Sequence, residues 1–224
     1  MFAIKEKVKN GVEMRIRKKK WARTVLFESE KIIGRDFDGN WEKYFNNEND
    51  ICVELGCGKG KFITRNALEF KGKNFVAVEK YLDIIASAVK KANDYGLRNV
   101  FFIMDDIKNL EKYFLRPQVS ELYINFCDPW PKNKHIKRRL THKTFLDMYK
   151  KVLLPEGRIF FKTDNKNLFD FSLKEFANNG FKLGRVLFDL HKEKPEVNNI
   201  ETEYEEKFMR LNMPIFYCEA SQIT

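Results

Sequence analysis

Histidine and cysteine are scarce in this 224-residue chain, and those present are not spaced to share a metal. The histidines are His135, His142 and His191, and the cysteines Cys52, Cys57, Cys127 and Cys218 include no C-x-x-C pair. That argues against a zinc ribbon or a disulfide framework, so the cysteines read as reduced core thiols and no metal is expected. Apolar runs long enough to span a bilayer are missing too, and charges occupy the N-terminus where a signal peptide carries its hydrophobic stretch. A cytoplasmic location is expected. The length fits one well-buried α/β domain and is too short for two of ordinary size.

Positive charge is plentiful by contrast. The formal net charge is +10, and residues 1–25 carry nine Lys/Arg against Glu6 and Glu13, while residues 131–151 carry eight against Asp147. One such cluster is an ordinary solvated face; two beside a neutral-to-acidic core suggest a polyanionic partner, either nucleic acid or a membrane surface. The run from Met14 to Arg23 interleaves Arg and Lys with Ile16, Trp21 and Ala22. It lacks a periodic apolar face, which predicts a mobile arm that orders on a phosphate backbone, with Trp21 as an anchor. Trp41, Tyr44 and Phe45 at i, i+3, i+4 predict a short helix. The expected division is therefore an arm and short helix over 1–45, then one domain over 46–224.

That domain is organised around Asp50-Ile-Cys-Val-Glu-Leu-Gly-Cys-Gly-Lys-Gly60. Ile51 to Leu55 read as a buried strand that breaks into Gly56, Gly58 and Gly60 before a helical segment, which is a nucleotide-cofactor turn. The spacing fits neither G-x-G-x-x-G nor the phosphate-loop frame, and Glu54 two residues before the first glycine suits a cationic ligand rather than an anion. Glu79 closes the next strand, where an acid takes both hydroxyls of a ribose. This pattern resembles the first motif of the class I S-adenosylmethionine-dependent methyltransferases.

Downstream, seven strands are predicted near 51–55, 74–79, 99–104, 121–126, 158–163, 181–190 and 214–219, with helices near 60–70, 81–95, 107–115, 141–153, 166–179 and 203–211. Such alternation implies a mostly parallel sheet with helices on both faces and ligands beyond the strand C-termini. Asp105-Asp106 end the third strand, and one of them is free to cap the following helix instead of facing a ligand. Pro129 and Pro131 hold Asp128 in a rigid turn after the fourth strand. Asp164 ends the fifth. Thr202 and Glu205 have capping-box spacing, which explains both without any functional role.

Three segments converge on one family. Val53 to Gly60, Asn125-Phe-Cys-Asp-Pro-Trp-Pro-Lys132 with Arg138-Arg-Leu140, and Phe161-Lys-Thr-Asp-Asn165 with Thr202-Glu-Tyr-Glu-Glu-Lys-Phe208 resemble the bacterial tRNA (guanine-N7)-methyltransferases. The likeness extends to the basic run at 14–23. It implies a Rossmann-like class I methyltransferase fold and methyl transfer from S-adenosylmethionine to the variable-loop guanine of tRNA, position 46. By resemblance Glu54, Gly56, Gly58, Gly60, Glu79, Asp106 and Asp128 bind S-adenosylmethionine. Asp106 is preferred over Asp105 because it keeps the family's spacing to Asp128. Lys132, Asp164 and Thr202, Glu203, Tyr204 and Glu205 hold the guanine or its nucleotide, and Asp128 is the catalytic candidate. The implied partner is tRNA, met by the arm and the 131–151 cluster, with no membrane or metal and with the protein a monomer or homodimer. Competing readings are a methyltransferase for a small molecule or protein, and a non-catalytic RNA-binding relative.

Overall fold

Among the described residues eight strands hydrogen-bond into one sheet, whose central strands bury both faces and so must be covered by helices on each side. The computed structural model describes residues 20–34, 36–193 and 199–223, without the side chains of Glu203, Glu206 and Lys207. The predicted arm therefore lies outside the described residues up to position 19.

In chain order the elements are α1 (Lys20–Glu28), β1 (Ile32–Ile33), α2 (Trp41–Phe45), β2 (Ile51–Leu55), α3 (Lys61–Glu69), β3 (Asn74–Val78), α4 (Leu82–Asp94) and β4 (Val100–Ile103). A 3-10 helix (Ile107–Lys112) leads to β5 (Val119–Asn125), and a second (Asn133–Arg138) to α5 (Lys143–Val152) and β6 (Leu153–Thr163). Then follow α6 (Lys166–Asn178), β7 (Phe181–Leu187), α7 (Glu203–Arg210) and β8 (Phe216–Gln222). The strand order is β1-β4-β3-β2-β5-β6-β8-β7, parallel except where β8 runs antiparallel between β6 and β7.

Alternation along β2 shows how the two cores arise. Ile51, Val53 and Leu55 face one side with Trp41, Phe145, Tyr149, Leu168 and Phe169, while Cys52 faces Ile63, Ile85 and Val89 on the other. Thus α2, α5 and α6 cover one face, and α3 and α4 the other. Trp41 is wholly buried, and its indole N–H reaches the Tyr113 carbonyl at 2.9 Å, so the short helix is an integral part of the core.

Four expectations need correction. The sheet has eight strands, not seven: β1 is two residues pairing with the edge of β4, too short for any period to show. Residues 20–25 belong to α1 rather than to an arm, since Ala22, Val25 and Leu26 make a narrow apolar face among the basic residues and pack on the α3–α4 side. The segment after β4 is a six-residue 3-10 helix, capped by Asp106, in place of a longer α-helix. Finally, β6 begins at Leu153. Its pairing with β5 jumps from Val119↔Leu153 to Glu121↔Arg158, so Pro155-Glu-Gly157 bulges from the ladder without ending the strand.

Candidate active site

β2 lies where the strand order turns, with β3 on one side and β5 on the other, and the crevice beyond its C-terminal end is where an open parallel sheet binds ligands. A cavity of about 760 Å³ opens there. Its lining includes Glu54, Gly56 and Gly58 from β2 and its turn, Glu79 after β3, Asp105 and Asp106 after β4, Asp128 after β5, and Thr202 and Tyr204.

The glycine turn does two different jobs. Gly56 and Gly58 have φ of +75° and +56°, and a Cβ on either meets nothing within 4 Å, so the turn leaves open space on its cleft side. Gly60 is different. A Cβ there comes within 2.4 Å of the Ala88 Cβ, which makes Gly60 the contact that lets α3 lie against α4. Its N–H is used on the Cys57 carbonyl at 3.0 Å. Gly60 thus has a packing role, and it does not line the cavity.

Glu54 is 3 % exposed. Asn125 donates to its Oε1 at 3.1 Å, while Oε2 is buried without a hydrogen-bond donor among the described residues. Desolvation pushes this carboxyl up to about 7, against the opposing pull of Asn125, the Lys162 charge and the Ile63 N–H. An orphaned buried carboxylate oxygen on a cavity wall suits a cationic group. Glu79 Oε1 accepts the Tyr81 N–H at 3.0 Å, which aims the carboxylate along the cleft rim.

The two adjacent aspartates divide their work. Asp105 accepts from the Asp106 N–H, the Asn109 amide and the Tyr113 hydroxyl; burial opposes its ionisation, but these bonds outweigh that and hold its carboxyl below the usual range. Asp106 is the N-cap, accepting from Lys108 N–H at 3.1 Å, and it stays exposed on the cleft with Lys80 Nζ at 3.6 Å. Of the two, Asp106 has the freer carboxylate.

Across the cleft, Asp128 is exposed between β5 and Pro129. The turn is pinned by Arg139, whose guanidinium donates to the Pro129 carbonyl at 3.1 Å and the Trp130 carbonyl at 3.2 Å, so this arginine of the basic cluster is structural. Arg138 lies over the Trp130 ring at 4.9 Å, and Lys132, Lys134 and Lys137 are exposed beside it. Further along the cluster, Lys143 pairs with Asp147 and Lys151 with Glu111, leaving the end next to Asp128 as its outward-facing cationic part. Burial, with Asp128 alongside, pushes the Cys127 thiol up to about 12, and burial raises Cys57 well above its ordinary value. Neither thiol is a nucleophile at neutral pH.

Phe126 has a positive φ of 49°, which turns its ring out of the β5 line to stack on Tyr204 at 6.0 Å and Phe208 at 5.8 Å. In this way α7 is drawn against the end of β5. Lys132 and Asp164 do not line the cavity. Glu205 is fully buried, closing the Thr202 capping box and pairing with Lys162, so the structure does not offer it to a substrate. Glu203 is placed in α7, its side chain outside the described set. Sequence reasoning passed over Asn125, Tyr81, Phe126 and Lys162; a lysine within Ile159-Phe-Phe-Lys-Thr163 was the one available signal.

This sheet order, glycine turn and acidic rim define a class I methyltransferase fold. A family model described as a putative methyltransferase matches residues 48–218. A protein named 16S rRNA methyltransferase KamB has a similar fold, with TM-score 0.65 and 15 % identity over 84 % of this chain and 95 % of that one. Sequence relatives are nearer. A tRNA (guanine-N(7)-)-methyltransferase of Clostridioides difficile (strain 630) is 46 % identical over 213 residues, covering 93 % of this chain and 99 % of the relative. One of Bacillus velezensis is 44 % identical over 209 residues, covering 92 % and 96 %. The chain belongs to the tRNA (guanine-N7)-methyltransferase family.

Proposed function

We propose that the protein transfers a methyl group from S-adenosylmethionine to N7 of the variable-loop guanine, position 46, of tRNA, in the cytoplasm. The observation that carries this reading is one cavity lined together by Glu54, Glu79, Asp106, Asp128, Thr202 and Tyr204.

The residues fit the cofactor. Glu54 Oε2, buried and unpaired, matches a cationic amino-acid end, and the open side of Gly56 and Gly58 leaves room for its backbone. Glu79 and Asp106 supply acceptors for ribose hydroxyls and an adenine amino group. S-adenosylmethionine when bound supplies an electrophilic methyl group on a sulfonium.

Guanine N7 has a lone pair and no proton, so no residue has to act as a base. The protein's contribution is alignment and exclusion of water, a source of roughly 7–11 kcal/mol in well-oriented reactions. Asp128, fixed by Arg139 and two prolines, keeps a carboxylate beside charge that moves onto the purine. Lys132 opposes that charge if near N7, so it is assigned to O6 or a phosphate, and Asp164, Thr202, Glu203 and Tyr204 to the guanine and its nucleotide. Buried Glu205 shapes this wall from behind. Drawing the base from its stack costs a few kcal/mol, which Tyr204 on the rim offsets by stacking.

The test is incubation with a tRNA transcript and methyl-labelled cofactor, followed by nucleoside mass analysis. Label in 7-methylguanosine that disappears when guanine 46 is replaced supports the reading. Label elsewhere, or none, rejects it.

A further inference from the structure

Lys162 sits near the end of β6, in register with Asn125 of β5, and is 4 % exposed. An ammonium taken out of water carries a desolvation cost of several kcal/mol, offset only when its N–H groups are matched. Here they are. Its acceptors are Glu205 Oε2 at 3.2 Å, the Ile200 carbonyl at 3.4 Å and the Asn199 side-chain oxygen. All three belong to the stretch that enters α7.

That stretch closes on itself around the same carboxylate. Glu205 accepts from the Thr202 N–H at 3.2 Å and the Asn199 amide at 2.5 Å, and its own N–H returns to the Thr202 hydroxyl at 3.0 Å. Thr202 and Tyr204, which follow from this arrangement, are on the cavity wall. The main chain of Lys162 serves another part of the same lining: its carbonyl accepts the Phe126 N–H at 2.9 Å, two residues before Asp128.

We propose that Lys162 is a positioning residue for methyl transfer, seating residues 199–205 through its side chain and the Asp128 turn through its carbonyl, so that these two parts of the cavity lining keep one spacing. This rests on the methyltransferase reading above. A purely structural lysine stabilises the fold equally well, but it gives no reason for all its donors to end on the substrate-side stretch.

The decisive variant is K162M/E205Q. K162M alone leaves the buried Glu205 carboxylate without its lysine, with His191 Nε2 at 3.3 Å, and risks unfolding, whereas the double variant removes both charges, and Gln still serves at that position of a capping box. Lys162 also acts on the charge of Glu54, so cofactor affinity is measured first and KM for tRNA is read at saturating cofactor. Three readouts are expected to move or hold as follows. The thermal midpoint stays near wild type, amide exchange at 202 and 205 quickens at least tenfold without RNA, and KM for tRNA rises at least tenfold. A folded double variant with KM for tRNA within twofold of wild type overturns the proposal. N199A, which removes one acceptor at the partly exposed end, is the second variant and should raise KM three- to tenfold at an unchanged midpoint. Unaltered exchange and KM in N199A also count against it. Exchange is read without substrate, so it judges the anchoring even if wild type fails to methylate tRNA, an outcome that sinks the function instead.

Discussion

Asn125 on β5 bonds to Glu54 on the neighbouring β2 and satisfies one carboxylate oxygen only. The strand that ends in the Asp128 turn therefore also orients Glu54 on the cavity wall, and its second oxygen is left buried without a hydrogen-bond donor among the described residues.

A raised carboxyl has a definite sign. Folded Glu54 titrates near 7 against an ordinary 4.5, so protonation costs nothing at low pH and ionisation penalises the fold as pH rises through 7. Relative to E54Q, the ligand-free protein should lose roughly 3 kcal/mol between pH 4.5 and 8. Denaturant titrations of both proteins across that range measure it. S-adenosylmethionine should in turn bind wild type more weakly at pH 6 than at pH 8, with proton release seen by calorimetry in two buffers. A flat difference between wild type and E54Q rejects the assignment.

Gly58→Ala and Gly60→Ala should fail in different ways. At Gly60 the new methyl strikes Ala88, an overpacking expected to cost about 1–3 kcal/mol beyond its backbone strain, and lowers the thermal midpoint. At Gly58 the methyl enters open cleft, so the cost is mainly left-handed strain of about 1–2 kcal/mol, and cofactor binding is what disappears. Equal calorimetric affinity of Gly58→Ala and wild type is the adverse result.

Asp128→Asn keeps size and removes charge. If the carboxylate stabilises the migrating cation, single-turnover transfer at saturating tRNA and cofactor should fall by on the order of 10²-fold, with tRNA affinity little altered. A rate within about threefold of wild type shifts the role to Asp164.

Salt dependence separates the cationic surfaces. Replacing Lys132, Lys134 and Lys137 by Ala should reduce the log–log slope of tRNA affinity against salt by roughly 0.7–0.9 for each phosphate that is no longer neutralised. Arg139→Ala should instead unpin the Asp128 turn, lowering turnover more than the slope. Identical slopes for the triple variant and wild type show that this surface does not meet the backbone.

The sequence carried the parallel sheet and the acidic rim because period, glycine and strand-end acids are local signals. It was silent where the deciding contact is distant. Gly60 is one of three similar glycines until Ala88, on the next helix, is seen facing it. Glu205 and Thr202 were legible as a capping box, yet whether the carboxylate faces substrate or core depends on Lys162, forty-odd residues away. Ala22, Val25 and Leu26 were hidden among the surrounding basic residues, and it is the distant α4 that gives their face a partner.

The placement of α7 has a consequence for how such a site can change. It lies inside the connection between β7 and β8, an antiparallel hairpin at the end of the sheet, whereas Glu54 lies near the end of parallel strand β2 and Glu79, Asp106 and Asp128 follow parallel strands of the central crossovers. Lengthening a hairpin connection costs little, about 0.6 kcal/mol of closure entropy per doubling, and leaves strand pairing untouched. A crossover has no such freedom, because its helix must still cover the face it spans. The α7 side of the cavity is therefore free to be remodelled by insertion, while the part built from strand ends can vary only residue by residue.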